Sequence, residues 1–358
     1  MNSSSKSDFP WITTTNLKVH KDEVWNIKWS HDGEYLASAS KDKSAIIWRR
    51  DSNSSSEFSP QDWVAHLILR DHPYSVTCLA WSLDDNILIT SADYCIKLWN
   101  TKTGVCIRTI EEHTESVTAI SWLPDGSGFI SGGLDRKVII WDTDGKVRDV
   151  WGTTAIRLTE LGLTPDSKRL VASGIEYPFD TPLDTEATQS RARDPSSTPS
   201  GGPGNAAPVR IIVFDFATKQ TESSTRLDRE LTSMQITQDS HYALINHSRN
   251  GIYLWDIHTG QKARKYSGQT QVRHVIRSCF GGIDGNFVAS GSEDGNVYIW
   301  HRETCVLLDV LTGHGEGSVN AVAWNPTNER MFASCSDDHC IRIWERAVGG
   351  TVAITYDR

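Results

Sequence analysis

Seven short apolar segments, each ending in an aromatic residue, constrain this chain more than anything else in it. Trp48 closes AIIW, Trp99 IKLW, Trp141 VIIW, Phe214 IIVF, Trp255 IYLW, Trp300 VYIW and Trp344 IRIW. The intervals between them are 51, 42, 73, 41, 45 and 44 residues. Four of these fall near the roughly 40–45 residues that a four-stranded blade of a β-propeller needs. The two long ones hold visible insertions, Asp51 to Gln61 (DSNSSSEFSPQ) and Glu176 to Pro208.

A second pattern runs ahead of each anchor. Val24…Trp29-Ser30, Val76…Trp81-Ser82, Val117…Trp122 and Val319…Trp324-Asn325 read as inner strands. Turn residues follow them: His31-Asp32-Gly33, Leu83-Asp84-Asp85, Pro124-Asp125-Gly126 and Pro165-Asp166-Ser167. Gly, Asp and Asn tolerate the backbone angles of tight hairpins, so strand, turn and strand alternate with no long helical period. The fold class is therefore all-β: a seven-bladed propeller over 12–348, closed by an N-terminal strand. That strand is expected at about Ile12 to Val19, beside the strand ending at Trp344, although Thr351 to Asp357 could compete for the same edge. Residues 1–11 and 349–358 read as tails, with 1–11 disordered. Residues 176–208 read as a disordered insertion in blade four, rich in Pro, Ser, Thr and Gly. The insertion leaves from the narrower top face, and Asp51 to Gln61 from the opposite one.

Polar residues keep the same rhythm. His20, Ser38, Asp42 and Trp48 form one set; His113, Ser131, Asp135 and Trp141 a second; His314, Ser334, Asp338 and Trp344 a third. Blade two has His72, Thr90, Asp93 and Trp99, whereas blade six has Gln269 where His is expected. Ser, His and Asp are also the parts of a hydrolase triad, but an enzyme needs that constellation once, in a cleft beside an oxyanion hole. Repeated copies, each tied to a Trp, suit a buried hydrogen-bond relay that locks a blade.

Composition narrows the function. The net charge of −9 argues against binding a nucleic-acid backbone. No apolar run approaches the about 20 residues of a membrane helix, and the first ten residues lack a signal-peptide core. Seven scattered Cys without a CxxC point to reduced thiols in the cytosol or nucleus. Cys335, His339 and Cys340 lack a second ligand pair, so no metal is assigned. No phosphate-binding glycine loop is present, and no cofactor or small-molecule substrate is expected.

Trp141-Asp142 and Trp255-Asp256 are WD dipeptides, and Gly313-His314 is a GH pair. In these residues the chain resembles the WD-repeat family of β-propellers. Within it, the run His20-Lys21-Asp22-Glu23-Val24-Trp25, then Lys41-Asp42 and Ile46-Ile47-Trp48, resembles the WD-repeat subunit of the GID/CTLH ubiquitin ligase. So does blade six: Arg264-Lys265-Tyr266, Ser278-Cys279-Phe280-Gly281-Gly282, Ala289 to Asp294 and Val297 to His301. The resemblance implies a non-catalytic subunit that recruits substrates or regulators, or shapes assembly, for ubiquitin-dependent proteasomal degradation. RING-bearing partners would supply the chemistry. It also implies LisH and CTLH helical modules ahead of the propeller, where this sequence has about ten residues. The alternative is a WD-repeat scaffold of another intracellular complex, in signalling or RNA processing.

Ten of the 14 Trp are accounted for by the repeat, which leaves Trp11, Trp25, Trp63 and Trp151. Trp25 stands where blades two, three and seven carry Thr77, Thr118 and Asn320, so packing does not demand an aromatic there. It is a candidate partner contact, or else a plug of the tunnel. Residues before the turn Asp, namely Lys41, Ala92, Leu134, Glu293 and Asp337, are expected to ring the same top face. Arg273 is a further candidate, and His274 reads as a solvated surface residue.

Overall fold

The computed structural model describes residues 11–51, 63–152, 154–176, 208–249 and 251–346. They form seven four-stranded antiparallel sheets around a central channel, each ordered from inner to outer strand. Blade one is Val24–Trp29, Tyr35–Ser40, Ala45–Arg50 and Trp63–Leu69; blade two is Cys78–Trp81, Ile87–Ala92, Cys95–Asn100 and Cys106–Ile110. Blade three is Val117–Trp122, Gly128–Gly133, Val138–Asp142 and Val147–Trp151; blade four is Ile156–Leu163, Arg169–Glu176, Val209–Asp215 and Thr221–Leu227. Blade five is Leu231–Ile236, Tyr242–His247, Gly251–Asp256 and Gln261–Tyr266; blade six is Cys279–Gly281, Phe287–Gly291, Val297–His301 and Leu307–Leu311. The only helical element among the described residues is a 3₁₀ turn at Ile283–Gly285.

Blade seven takes its inner three strands from the C-terminal part of the chain, Val319–Trp324, Met331–Ser336 and Ile341–Arg346. Its outer strand is Trp11–Leu17, which pairs antiparallel with Ile341–Arg346. The closing strand thus starts and ends slightly earlier than the Ile12–Val19 read from the sequence. Trp11 sets its position by packing edge-on against Trp324 at 5.2 Å and Phe332 at 4.9 Å. Residues 1–10, most of both insertions (52–62 and 177–207) and the 347–358 tail, with Thr351 to Asp357, lie outside the described residues. The described ends of the blade-four insertion meet on the top face, where Glu176 N–H donates to Pro208 O at 2.8 Å.

The repeat is legible in the burial. Middle strands face a neighbouring blade on both sides and are buried throughout, as in Leu36 to Ser40 and Phe332 to Ser336. Outer strands bury little beyond an end residue, as Cys106–Ile110 buries only Ile110. The anchor tryptophans are sealed: Trp48, Trp141, Trp255 and Trp300 are at most 1 % exposed. Full burial of such a side chain contributes several kcal/mol, but only if its N–H finds an acceptor.

The three complete polar sets supply that acceptor. Trp48 Nε1 donates to Ser38 Oγ at 2.9 Å, Ser38 meets His20 Nε2 at 2.7 Å, and His20 Nδ1 meets Asp42 Oδ2 at 2.9 Å. Trp141–Ser131–His113–Asp135 repeats this at 2.9, 2.8 and 2.9 Å, and Trp344–Ser334–His314–Asp338 at 2.8, 2.7 and 3.1 Å. With each imidazole neutral and protonated on Nδ1, every donor in the relay meets an acceptor. The relay ties the middle strands to the connection entering the blade, so it fixes the top loops.

The imperfect blades depart in ways chemistry explains. In blade four the anchor Phe214 has no N–H, and Ala172 stands where the Ser would be. In blade two His72 Nε2 reaches Thr90 at 2.8 Å, but Asp93 accepts from Ser116. In blade six Trp300 donates to the Ser267 carbonyl at 3.0 Å, and Tyr298 OH occupies Asp294 at 2.7 Å. Cys335 is sealed in the core, Cys340 Sγ donates to the Asp338 carbonyl, and His339 takes a positive φ in the turn.

Two predictions follow from these contacts. Asp135→Ala leaves the buried His113 donor and the Thr114 and Lys137 amides without their acceptor, and is expected to cost about 1–3 kcal/mol, read as a lowered melting temperature. Burial pushes His72 and His247 down to about 4 from 6.5. Both stay neutral in the fold while the unfolded chain takes up protons, so stability is full above about pH 6.5 and is lost as the pH falls toward 4. Burial works to raise the Asp338 carboxyl, yet His314 and two backbone amides hold it well below the ordinary range, adding a second loss below about pH 4. Melting temperature should decline in both windows, and His72→Asn should make the first decline shallower.

Candidate functional surface

Inner strands carry a bulge near their top end. The pairing skips Trp25 in blade one, Thr118 in blade three, Thr159 in blade four, Thr232 in blade five and Asn320 in blade seven. A bulged residue is released from the ladder and its side chain is re-aimed. In two blades that side chain bridges to the next blade: Asn320 Nδ2 donates to Val24 O at 3.0 Å, and Thr118 Oγ1 to Leu158 O at 2.9 Å. Blade one moves this duty one place along, to Asn26, whose Nδ2 donates to Thr77 O at 3.1 Å. Trp25 is thereby freed from scaffolding.

Trp25 is half-buried on the top face, and the cavities of the channel are lined by other residues. Its Nε1 donates to Glu23 Oε2 at 2.9 Å, while Lys41 Nζ holds Glu23 Oε1 at 2.7 Å. The hydrogen bond from Lys41 holds the Glu23 carboxyl below its ordinary value against the opposing effect of burial. The indole is thus oriented by an ion pair, its apolar face left available. The other three leftover tryptophans are core residues: Trp11 as above, Trp63 against Trp29 at 5.2 Å, and Trp151 against Phe214 at 5.6 Å.

The remaining ring positions differ in what they have to offer. Glu293 Oε1 accepts the amides of Val272, Arg273 and His274 at 2.6, 2.6 and 2.9 Å, so its carboxylate folds the 272–274 loop. Burial pushes its carboxyl pKa up, but those three amides hold it below the ordinary value. Asp337 accepts Ser318 N–H at 3.1 Å and Asn320 Nδ2 at 2.7 Å, and His274 Nδ1 stands 3.9 Å from it. Leu134 is half-buried, with its amide on Ser116 O at 2.9 Å. Ala92, expected on this rim, is fully buried and presents nothing to solvent. Arg273 is exposed.

Sequence reasoning missed the apolar part of this face. Tyr74 is 42 % exposed beside Tyr94, with ring centroids 5.7 Å apart, and Val272 and Val275 are 40 % and 47 % exposed. Tyr74 and Val275 lie on a cavity of about 560 Å³ that opens the channel at the top. All four belong to connections entering or crossing blades two and six, where no repeat pattern marks them. With these carboxylates committed internally, Trp25, Tyr74, Val272, Val275 and Arg273 are the exposed or half-buried candidates on this face.

The Glu293 contacts are testable directly. Glu293→Ala should accelerate hydrogen exchange at Val272, Arg273 and His274 by at least tenfold while leaving the blade-one strands protected. Unchanged exchange there would remove its role as organiser of the loop.

Comparison with known proteins agrees with this geometry. The model described as "WD domain, G-beta repeat" matches residues 11–49, 64–100, 104–142, 260–301 and 305–345, leaving out blades four and most of five. A WD repeat-containing protein 26 homolog of Arabidopsis thaliana is 36 % identical over 95 % of this chain and 51 % of its own length. GID complex subunit 7 of Schizosaccharomyces pombe is 35 % identical over 96 % of this chain and 61 % of its own. A WD repeat-containing protein 26 homolog of Drosophila melanogaster is 30 % identical over 97 % and 50 %. The chain therefore spans about half to three-fifths of the length of these relatives.

Proposed function

Because the chain belongs to the WD-repeat family of β-propellers, we propose that it is a non-catalytic interaction propeller, a substrate-recruiting or assembly subunit of a GID/CTLH-type ubiquitin ligase. The observation that carries this reading is the 35 % identity to GID complex subunit 7 across nearly the whole propeller. Support for a non-catalytic role comes from the Ser–His–Asp sets. Each Ser is fully buried and accepts an indole N–H, so none is free to attack a substrate. Seven free thiols suit a reducing compartment, and we assign the protein to the cytosol and nucleus on that ground.

Binding in this reading uses the top face around Trp25. An oriented aromatic on the same face as Tyr74, Val272 and Val275 has the make-up of an interface centre ringed by polar groups. Its partners are proteins: ligase subunits, substrates or regulators.

Affinity purification of the tagged protein from its own cells, with mass spectrometry, tests the assignment. RING- and CTLH-bearing subunits are the expected recovery, and their absence would overturn the ligase role while leaving the fold intact. Trp25→Ala, alone and with Tyr74→Ala, should reduce partner recovery at least tenfold, with the melting temperature within a few degrees of the parent. A large loss of stability would instead return Trp25 to the core.

A further inference from the structure

The channel narrows between two cavities, about 560 Å³ above and about 460 Å³ below, and Thr118, Glu160 and Arg277 line both. Lys28 reaches into the lower one from blade one. Three charged side chains thus converge on the bore, and Glu160 acts on Arg277 and Lys28 through space with no salt bridge between them. Arg277 makes one long contact, from Nη1 to the Trp25 carbonyl at 3.5 Å. Its backbone is fixed: Arg277 N–H donates to Asn320 O at 2.8 Å, and Val322 N–H to Arg277 O at 3.1 Å. Glu160 follows the bulge of its inner strand, and Lys28 is paired with Ala37. Ser278 lines the same lower cavity, is 9 % exposed, and has an Oγ without a hydrogen-bond partner. Buried polar groups in native folds are almost always partnered, by protein or by a bound species.

We propose that this waist is a site for a small free oxyanion of the size and charge of sulfate or phosphate, held between the Arg277 guanidinium and the Lys28 ammonium. A guanidinium and an ammonium whose opposite charge, Glu160, acts on them through space and not through a salt bridge supply the forked and point-charge donors that oxyanions take. Ser278 Oγ adds a neutral donor from the wall. The cavities are large enough for such a solute together with water, which completes its hydration where protein does not reach.

Glu160 gives the site a sign. Burial raises its carboxyl to about 7, against the pull of Arg277 and Lys28. Burial within the channel draws the Lys28 ammonium below its ordinary value, opposed by Cys78 from blade two and by Glu160, and Lys43, Asp93 and Glu230 line the cavity above. Below about pH 7 the Glu160 acid is neutral and can donate; above it, the carboxylate repels an anion. Oxyanion binding therefore strengthens as the pH falls through 7.

Isothermal titration with sulfate, whose charge is constant over this range, tests the proposal. Saturable binding of one sulfate per chain is expected, several-fold tighter at about pH 6 than at about pH 8. Arg277→Gln should weaken it at least tenfold, Lys28→Met severalfold, and Glu160→Gln should tighten it at about pH 8 and flatten the pH dependence. Unchanged melting temperatures of the variants without sulfate confirm folding, and Glu160→Gln, which is expected to gain affinity, guards against a trivial loss. No saturable binding, or equal binding by Arg277→Gln, overturns the site. Inorganic phosphate and a phosphoserine peptide run in parallel identify the source: tighter binding of free phosphate supports a solute, and a peptide that outbinds it overturns the free-oxyanion reading.

Discussion

Everything in this molecule depends on closing a ring. Seven wedge-shaped sheets pack face to face, and a blade with only one neighbour would expose an apolar face. The chain solves this by splitting blade seven between its two ends, so that Trp11–Leu17 completes the sheet begun by Val319–Trp324. Each blade-to-blade face then has a partner, and stability becomes shared around the circle instead of residing in any one sheet. Inner-strand contacts tighten the seam: Trp29 Nε1 donates to Ala323 O at 2.9 Å across blades one and seven, and Asn320 returns a bond to Val24. The top surface and the channel exist only once this seam is made.

Sequence made the scaffold legible because the scaffold repeats. An anchor Trp buried in an apolar blade needs an acceptor, and a Ser ten residues before it, a His further upstream and an Asp six residues before it are the local solution. That physical need recurs at a fixed interval, so it can be read from spacing alone. Where the need vanishes the pattern vanishes too: Phe214 has no N–H, and Ala172 replaces the hydroxyl. Blade six was harder to read, since Tyr298 and the Ser267 carbonyl do the work from positions that no spacing rule points to.

The candidate surface was legible only in part. Trp25 stood out because it broke a pattern of small polar residues, and the bulge explains why it could. Counting assigns Glu293 and Asp337 to turns between second and third strands, but counting does not show that their carboxylates are already engaged by amides and an Asn side chain. Tyr74, Val272 and Val275 sit in connections of individual length, and Lys28, Glu160 and Arg277 come from blades one, four and the approach to six. Their proximity is a property of the closed ring, with well over one hundred residues between neighbours in sequence.

These cases separate two kinds of departure from a repeat. Some are compensated inside the same blade, as when Tyr298 takes the carboxylate that a His would hold; the blade stays satisfied and nothing new is offered outward. Others are compensated by a neighbour that takes over the structural task, leaving the original position unemployed. Asn26 takes the bridge to blade two that the bulge residue makes elsewhere, and so Trp25 can be any residue the surface requires. The charges at the waist are of a third sort, because Glu160 faces Arg277 and Lys28 through space with no salt bridge joining them. Lys28 is exposed to the channel and Arg277 and Glu160 are half-buried, so these charges are open to a solute and are not locked into the packing. The same reasoning that removes the Ser–His–Asp sets from the list of functional groups, their complete internal satisfaction, therefore puts Trp25 and the channel waist on it.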